Sequence, residues 1–195
     1  RQTDQDTAVV DDADWHLIQE CLRGDEEAYA RLVKRYEEQI ASQMSHFSRN
    51  PAVREELVQD VFVEVYFSLG KYRGDAPFLH WLRRIATRVG YRHWRRRARD
   101  ECQVSLDEWD GAARQHGLMD PAKAGEILHV LLARLPPTDR LVLTLMCLEE
   151  CSTNDIAARM GWNRAMVKMR AYRARKKLKE IAERENLLEK LGWTS

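Results

Sequence analysis

The chain has no apolar run long enough to cross a bilayer, and no charged-then-apolar leader with a small-residue cleavage site opens it. It begins on Arg1 rather than Met, so the natural start is expected to have been trimmed or omitted. Cysteine is sparse. Cys21, Cys102, Cys147 and Cys151 are too irregularly spaced for a disulfide framework, and a reduced cytosolic protein is the simplest reading. Cys147 and Cys151 would share a helix face if the helix continued that far, and are expected as a buried thiol pair. The histidines, His16, His46, His80, His93, His116 and His129, are dispersed, and no second cysteine pair or histidine stands at zinc-ligand spacing. No P-loop, dinucleotide fingerprint or nucleophile elbow occurs, and no sequence-local acid/base pair. No catalytic residue, cofactor or metal is therefore expected. No strand pattern of useful length appears, and there is no low-complexity repeat.

Helical periodicity and unevenly placed charge remain. The formal net charge is only +1, yet Asp4, Asp6, Asp11, Asp12 and Asp14 make an acidic head, while Arg83–Arg99 and Arg164–Lys179 are basic intervals without a single acid. Two basic blocks in a neutral chain fit two DNA-contacting surfaces; solvated helix faces are the plainer alternative. The expected fold is all-α, with two small helical domains joined by a flexible linker. A disordered acidic head covers residues 1–13, a first domain 14–99, a linker 100–123 and a second domain 124–195.

Trp15, Ile18 and Leu22 mark a short helix; Tyr29, Leu32, Val33, Tyr36, Ile40, Met44 and Phe47 mark a longer one, which Asn50-Pro51 breaks. Val53, Leu57, Val58, Val61, Phe62, Val65, Tyr66 and Leu69 form the apolar stripe of a third, with Gly70 as its stop. Pro77 suits the first turn of a fourth, which carries Phe78, Trp81, Leu82, Ile85 and Val89. Past Val89 the stripe fades and arginines surround the axis, so that helix is leaving its core for something anionic. Trp81 reads as core; Trp94, beyond the stripe, reads either way.

In the second domain Ile127, Leu128, Leu131, Leu132 and Leu135 precede Pro136-Pro137, and Leu141, Val142, Leu145 and Met146 follow. Ser152 stands three residues before Asp155 as in a capping box. Ile156, Ala157 and Met160 lead to Gly161, and Asn163 can cap a last helix reaching about Leu191. A capped short helix, a glycine turn and a basic helix with Val167 facing inward have the spacing of a helix-turn-helix, although a purely structural hairpin shares it. Asn163, Arg164, Lys168, Met169, Tyr172 and Arg173 are the candidates for DNA contact, with Arg175, Lys176 and Lys177 on the phosphate side.

Several segments occur here in a family's order: Glu56-Leu57-Val58-Gln59-Asp60-Val61-Phe62, Phe78-Leu79-His80-Trp81-Leu82, Leu135-Pro136-Pro137-Thr138-Asp139-Arg140, Ser152-Thr153-Asn154-Asp155-Ile156-Ala157, and Val167-Lys168-Met169-Arg170 running to Arg173-Ala174-Arg175. They resemble the σ70 family, and within it the small extracytoplasmic-function sigma factors, over roughly residues 14–98 and 124–180. The chain departs from that pattern at Glu56 (commonly Asp), at Asp155 (commonly Glu), at Glu149-Glu150-Cys151 (often a glycine turn) and at Met166 and Met169 (more usually Thr and Ser).

The resemblance implies an alternative sigma factor, cytoplasmic and bacterial, not an enzyme and not inserted in a membrane. Its partners would be the RNA polymerase core (β′ clamp and β flap), promoter DNA and an anti-sigma factor. Glu56, Gln59, Asp60, Phe62 and Glu64 would meet the core. Tyr72, Arg73, Gly74, Asp75 and Phe78 would capture an unstacked base of the −10 element, with Tyr72 or Phe78 as the stacking surface, and Arg84, Arg88, Arg92 and Arg95 would hold the adjoining duplex. The second domain would read the −35 element. A free-standing helix-turn-helix regulator, or an adaptor that binds no DNA, are the alternative readings.

Overall fold

Asp12 begins the first helix, two residues before the acidic head was expected to end, because Asp14 is not a solvated head residue at all: it is buried. The structure, a computed structural model, describes residues 12–103 and 128–184. Most of the expected head and linker, and the chain beyond Arg184, lie outside the described residues. The described secondary structure is helical: α1 (Asp12–Leu22), α2 (Glu26–Ser45), α3 (Pro51–Ser68), a single 3-10 turn (Leu69–Lys71), α4 (Phe78–Gln103), α5 (described over 128–133), α6 (Pro137–Cys147), α7 (Thr153–Met160) and α8 (Arg164–Arg184). The chain forms two compact units, Arg1–Gly90 and Tyr91–Ser195.

In the first unit α2 and α3 begin where a side chain satisfies free backbone N–H groups. Asp25 accepts from the backbone N–H of Ala28, and Asn50 accepts from Ala52 and Val53. Asn50-Pro51 therefore ends nothing by itself: it opens α3, with Pro51 in the first turn. Pro77 stands one residue earlier than expected, just before α4, and its carbonyl accepts from His80 and Trp81.

Ile18, Leu32, Ile40, Met44, Phe47, Leu57, Val61, Val65, Phe78, Leu82, Ile85 and Val89 form the core, as the periodicity implied. Each such side chain contributes ~1.5–3 kcal/mol of transfer free energy when fully buried. Two polar ties cross it. Asp14 accepts the Tyr36 hydroxyl and lies 3.1 Å from Arg35 Nε, holding α1 on α2. Gln43 donates to Thr87 Oγ1 at 3.1 Å and to the Arg83 carbonyl, joining α2 to α4. Burial first, then the Asp14 carboxylate, raises the Tyr36 pKa, so the phenol stays a donor.

The second unit gathers Leu132, Leu135, Leu143 and Ala174, with Leu128, Leu148, Leu178 and Ile181 packed against them. Pro136-Pro137 ends α5 and starts α6. Trp94 is buried in this unit, the Arg140 guanidinium lying 3.9 Å from its ring centroid. Cys147 is exposed and Cys151 buried, since α6 stops at Cys147; the expected buried thiol pair does not form.

Gly90 shows how closely α4 approaches Phe47, in the turn that follows α2. A Cβ there would lie 2.3 Å from Cδ1 of Phe47, a ring that is itself buried. Gly90→Ala is expected to cost ~1–3 kcal/mol through overpacking, visible as a lower midpoint in denaturant. An unchanged midpoint would show that the ring yields freely.

Candidate nucleic-acid and partner interface

The helix-turn-helix is built by local chemistry before any packing. Ser152 Oγ accepts from the Asp155 N–H at 3.2 Å, and Asp155 Oδ2 accepts from the Ser152 N–H at 2.8 Å, so both halves of the capping box are made. Gly161 adopts φ 69, and its N–H and that of Trp162 both reach the Ala157 carbonyl. Asn163 Oδ1 then accepts from the Met166 N–H at 2.7 Å. That cap occupies one lone pair of the Asn163 oxygen and leaves both N–H donors of the amide uncommitted by the cap.

Val167, Ala171 and Ala174 are buried, and Ile156 of α7 is fully enclosed. The helical period therefore turns Met169 and Tyr172 outward, 53% and 66% exposed, flanked by exposed Lys168 and Arg173. Arg164 and Arg175 are exposed as well. Lys177 does not join them: its ammonium lies 2.6 Å from Asp139 Oδ2. Lys176 pairs at 4.0 Å with Glu180, and Lys179 with Glu183 at 3.6 Å, so the far half of α8 is charge-balanced where the near half is not. Arg170, partly buried, lies with its guanidinium 5.1 Å from the Trp162 ring centroid.

In the first unit the expected stacking residues are corrected. Tyr72 is 6% exposed and Phe78 1%; their rings meet edge to face at 5.2 Å, and both contact Trp81. The Tyr72 hydroxyl donates to the Ala76 carbonyl and closes the Lys71–Pro77 loop from inside. Its pKa is raised by burial and then by the Asp14 and Asp75 carboxylates, which keeps that donor protonated. Arg73 and Asp75 are exposed at the rim, and Gly74 has φ 76. Arg88, Arg92 and Arg95 are exposed on α4 and Arg84 is half-buried.

On α3, Glu56, Gln59 and Asp60 are exposed and Glu64 is half-buried, but Phe62 is a core residue, 7% exposed, and cannot meet a partner without leaving it. The surface instead holds apolar residues that sequence reading missed. Val63 and Phe67 are 56% and 80% exposed, and Tyr66, expected in the core, is 57% exposed. By helical geometry Val63 and Phe67 fall between Glu56, Gln59 and Asp60 on one outward face. The signal was available: Val63 and Phe67 are apolar residues on the face of α3 opposite Leu57, Val61 and Val65.

Two helical units, one ending in a solvent-facing basic recognition helix, define a DNA-binding protein of the helix-turn-helix class. Residues 32–100 match the family described as Sigma-70 region 2, and residues 125–178 that described as Sigma-70, region 4. The chain is 30% identical over 178 residues to the RNA polymerase sigma-H factor of Pseudomonas aeruginosa, covering 86% of this chain and 92% of that protein. It is 29% identical to the ECF RNA polymerase sigma-E factor of Escherichia coli, over 82% and 88% respectively. The fold is similar to that of CnrH, solved in complex with the cytosolic domain of CnrY, with a TM-score of 0.55 at 24% identity over 86% of this chain and 95% of CnrH. It is equally similar, at 0.55 and 22%, to the sigma factor RpoE solved with the anti-sigma factor NepR from Bartonella quintana, over 80% and 96%. The chain belongs to the σ70 family and is an alternative sigma factor of the extracytoplasmic-function group, directing transcription initiation. The free-standing regulator is not favoured.

The turn before α7 carries a local backbone cost. Glu150 is a non-glycine residue at φ 50. The left-handed conformation costs an L-residue about 1–2 kcal/mol, and glycine's extra unfolded-state entropy offsets about half of that. Glu150→Gly is expected to raise stability by up to about 1 kcal/mol, and Glu150→Val to lower it by ~1 kcal/mol or more, measured by thermal unfolding. A destabilising glycine would show that the turn is not strained.

Proposed function

We propose that the chain binds the RNA polymerase core through the outward face of α3 and reads a −35 element with the first half of α8. In the same reading, the Lys71–Pro77 loop and the arginines of α4 contact a −10 element and help melt it. The observation that carries this is the outward face of α8: a capped turn presents Lys168, Met169, Tyr172 and Arg173 to solvent while Val167, Ala171 and Ala174 anchor the helix from behind. That arrangement suits major-groove entry, with Arg164 and Arg175 for phosphates. Glu56 and Asp60 around Val63 and Phe67 suit a basic partner surface with an apolar centre.

The second unit would meet the β flap, and both DNA surfaces would be open to an anti-sigma factor, as RpoE is bound by NepR. Bond-making belongs to the polymerase, and the protein works in the bacterial cytoplasm where the polymerase is. Among the described residues no helix is long and apolar enough to cross a membrane.

Run-off transcription from a fragment library, followed by sequencing of the transcripts, is expected to show promoter-specific products only when core enzyme and this chain are combined. Identical products from core alone would sink the reading. Asp60→Arg is expected to weaken core binding about tenfold without changing thermal stability. Arg175→Ala is expected to weaken binding to the identified −35 duplex and to reduce its salt slope by about one phosphate's worth. An unchanged slope would place Arg175 away from the backbone.

A further inference from the structure

A loop that captures an unstacked base needs an aromatic plane beside it. Tyr72 and Phe78 are spent in the core. The indole that reaches the loop comes from α1. A Cβ at Gly74 would lie 3.1 Å from Cζ3 of Trp15, and the Trp15 and Tyr72 ring centroids are 6.4 Å apart. Trp15 is 36% exposed, so the loop backs one part of the ring and solvent meets another.

Its position is fixed from both sides. The preceding residue, Asp14, is buried on α2, and Ile18, one turn on, is wholly enclosed. Lys71, Arg73 and Asp75 stand exposed on the same loop. The cations suit a phosphate, and the carboxylate can accept from an exocyclic amine.

We propose that Trp15 is the stacking platform for the unstacked nucleobase held at the Lys71–Pro77 loop. This gives α1 a DNA-contacting role and Gly74 a second reason to be glycine: besides its φ of 76, a Cβ there would require the indole to give by a few tenths of an ångström. The inference rests on the reading of that loop as the −10 contact.

The test uses holoenzyme assembled from core polymerase and the full chain. Its probes are single-stranded oligonucleotides spanning the −10 region of a promoter found by transcript sequencing, with 2-aminopurine at each position in turn. At one position the fluorophore is expected to be quenched with wild type and with Trp15→Phe, and bright with Trp15→Leu. Oligonucleotide affinity is expected to fall about tenfold with Trp15→Leu, within the range of a single base–aromatic stack. Binding to the −35 duplex should not change. Phe and Leu both keep an apolar contact on Gly74, so a packing role predicts that they behave alike. If Trp15→Leu retains wild-type quenching and affinity, Trp15 only packs the loop; the proposal is overturned and the loop reading stands. If the wild type neither quenches nor binds any of the oligonucleotides, the loop reading falls and the proposal with it.

Discussion

A carboxylate taken out of water is costly unless something specific receives it. In the first unit Asp14 is received by the Tyr36 hydroxyl and by Arg35, and much of the unit's geometry runs through that tie. Tyr36 packs its ring 5.3 Å from Phe78, Phe78 meets Tyr72, and Tyr72 holds the Ala76 carbonyl. The tie thus orders α1 on α2 and, through two ring contacts in series, relates α2 to the loop that precedes α4. Losing one partner would strand a buried polar group, a cost of ~1–3 kcal/mol concentrated on one helix. The loop can be short and exposed because its inner side is held this way.

The second unit depends less on any single buried pair. Its turns are closed by nearest neighbours: a capping box, a left-handed glycine and an asparagine cap, within twelve residues of chain. Longer-range polar contacts hold the edges. Arg159 reaches Glu149 at 2.6 Å across the α6–α7 turn, and Lys177 reaches Asp139 on α6. The Glu149 pair is mostly shielded from solvent, so it is screened less than the exposed pairs along α8.

The helices and their order were legible because their signals are local. Periodicity located the apolar stripes, and Ser152, Gly161, Asn163, Asn50 and the prolines marked the ends to within a residue or two. The capping box and the inward Val167 could be read from spacing alone. What failed was exposure. Tyr72 and Phe78 lie at a loop and a helix start, where no periodicity applies, and each is buried by partners distant in sequence. Tyr66 was read into the apolar stripe and Phe67 was passed over, and no local pattern says that both rings face solvent. Asp14 was misread for the same reason: in a run of acids, only Tyr36 and Arg35 distinguish it from Asp12. Exposure was thus most legible where charge and capping define the surface, and least where aromatic residues do.

Charge along α8 shows how one helix separates binding from structure. Its basic residues are not equivalent, although they look alike in sequence. Lys176, Lys177 and Lys179 have carboxylates within reach, four residues ahead or across on α6, and each such pair neutralises a cation that a phosphate would otherwise meet. Arg164, Lys168, Arg173 and Arg175 come earlier, in an interval without acids, around outward Met169 and Tyr172. A uniformly cationic helix would bind any duplex along its whole length. In the proposed reading, restricting unbalanced charge to the first half of the helix keeps non-specific attraction close to the side chains that would meet base edges. Met166 and Met169 add exposed, apolar and flexible side chains beside them. A methyl-bearing base edge would match such a surface better than a pure donor or acceptor.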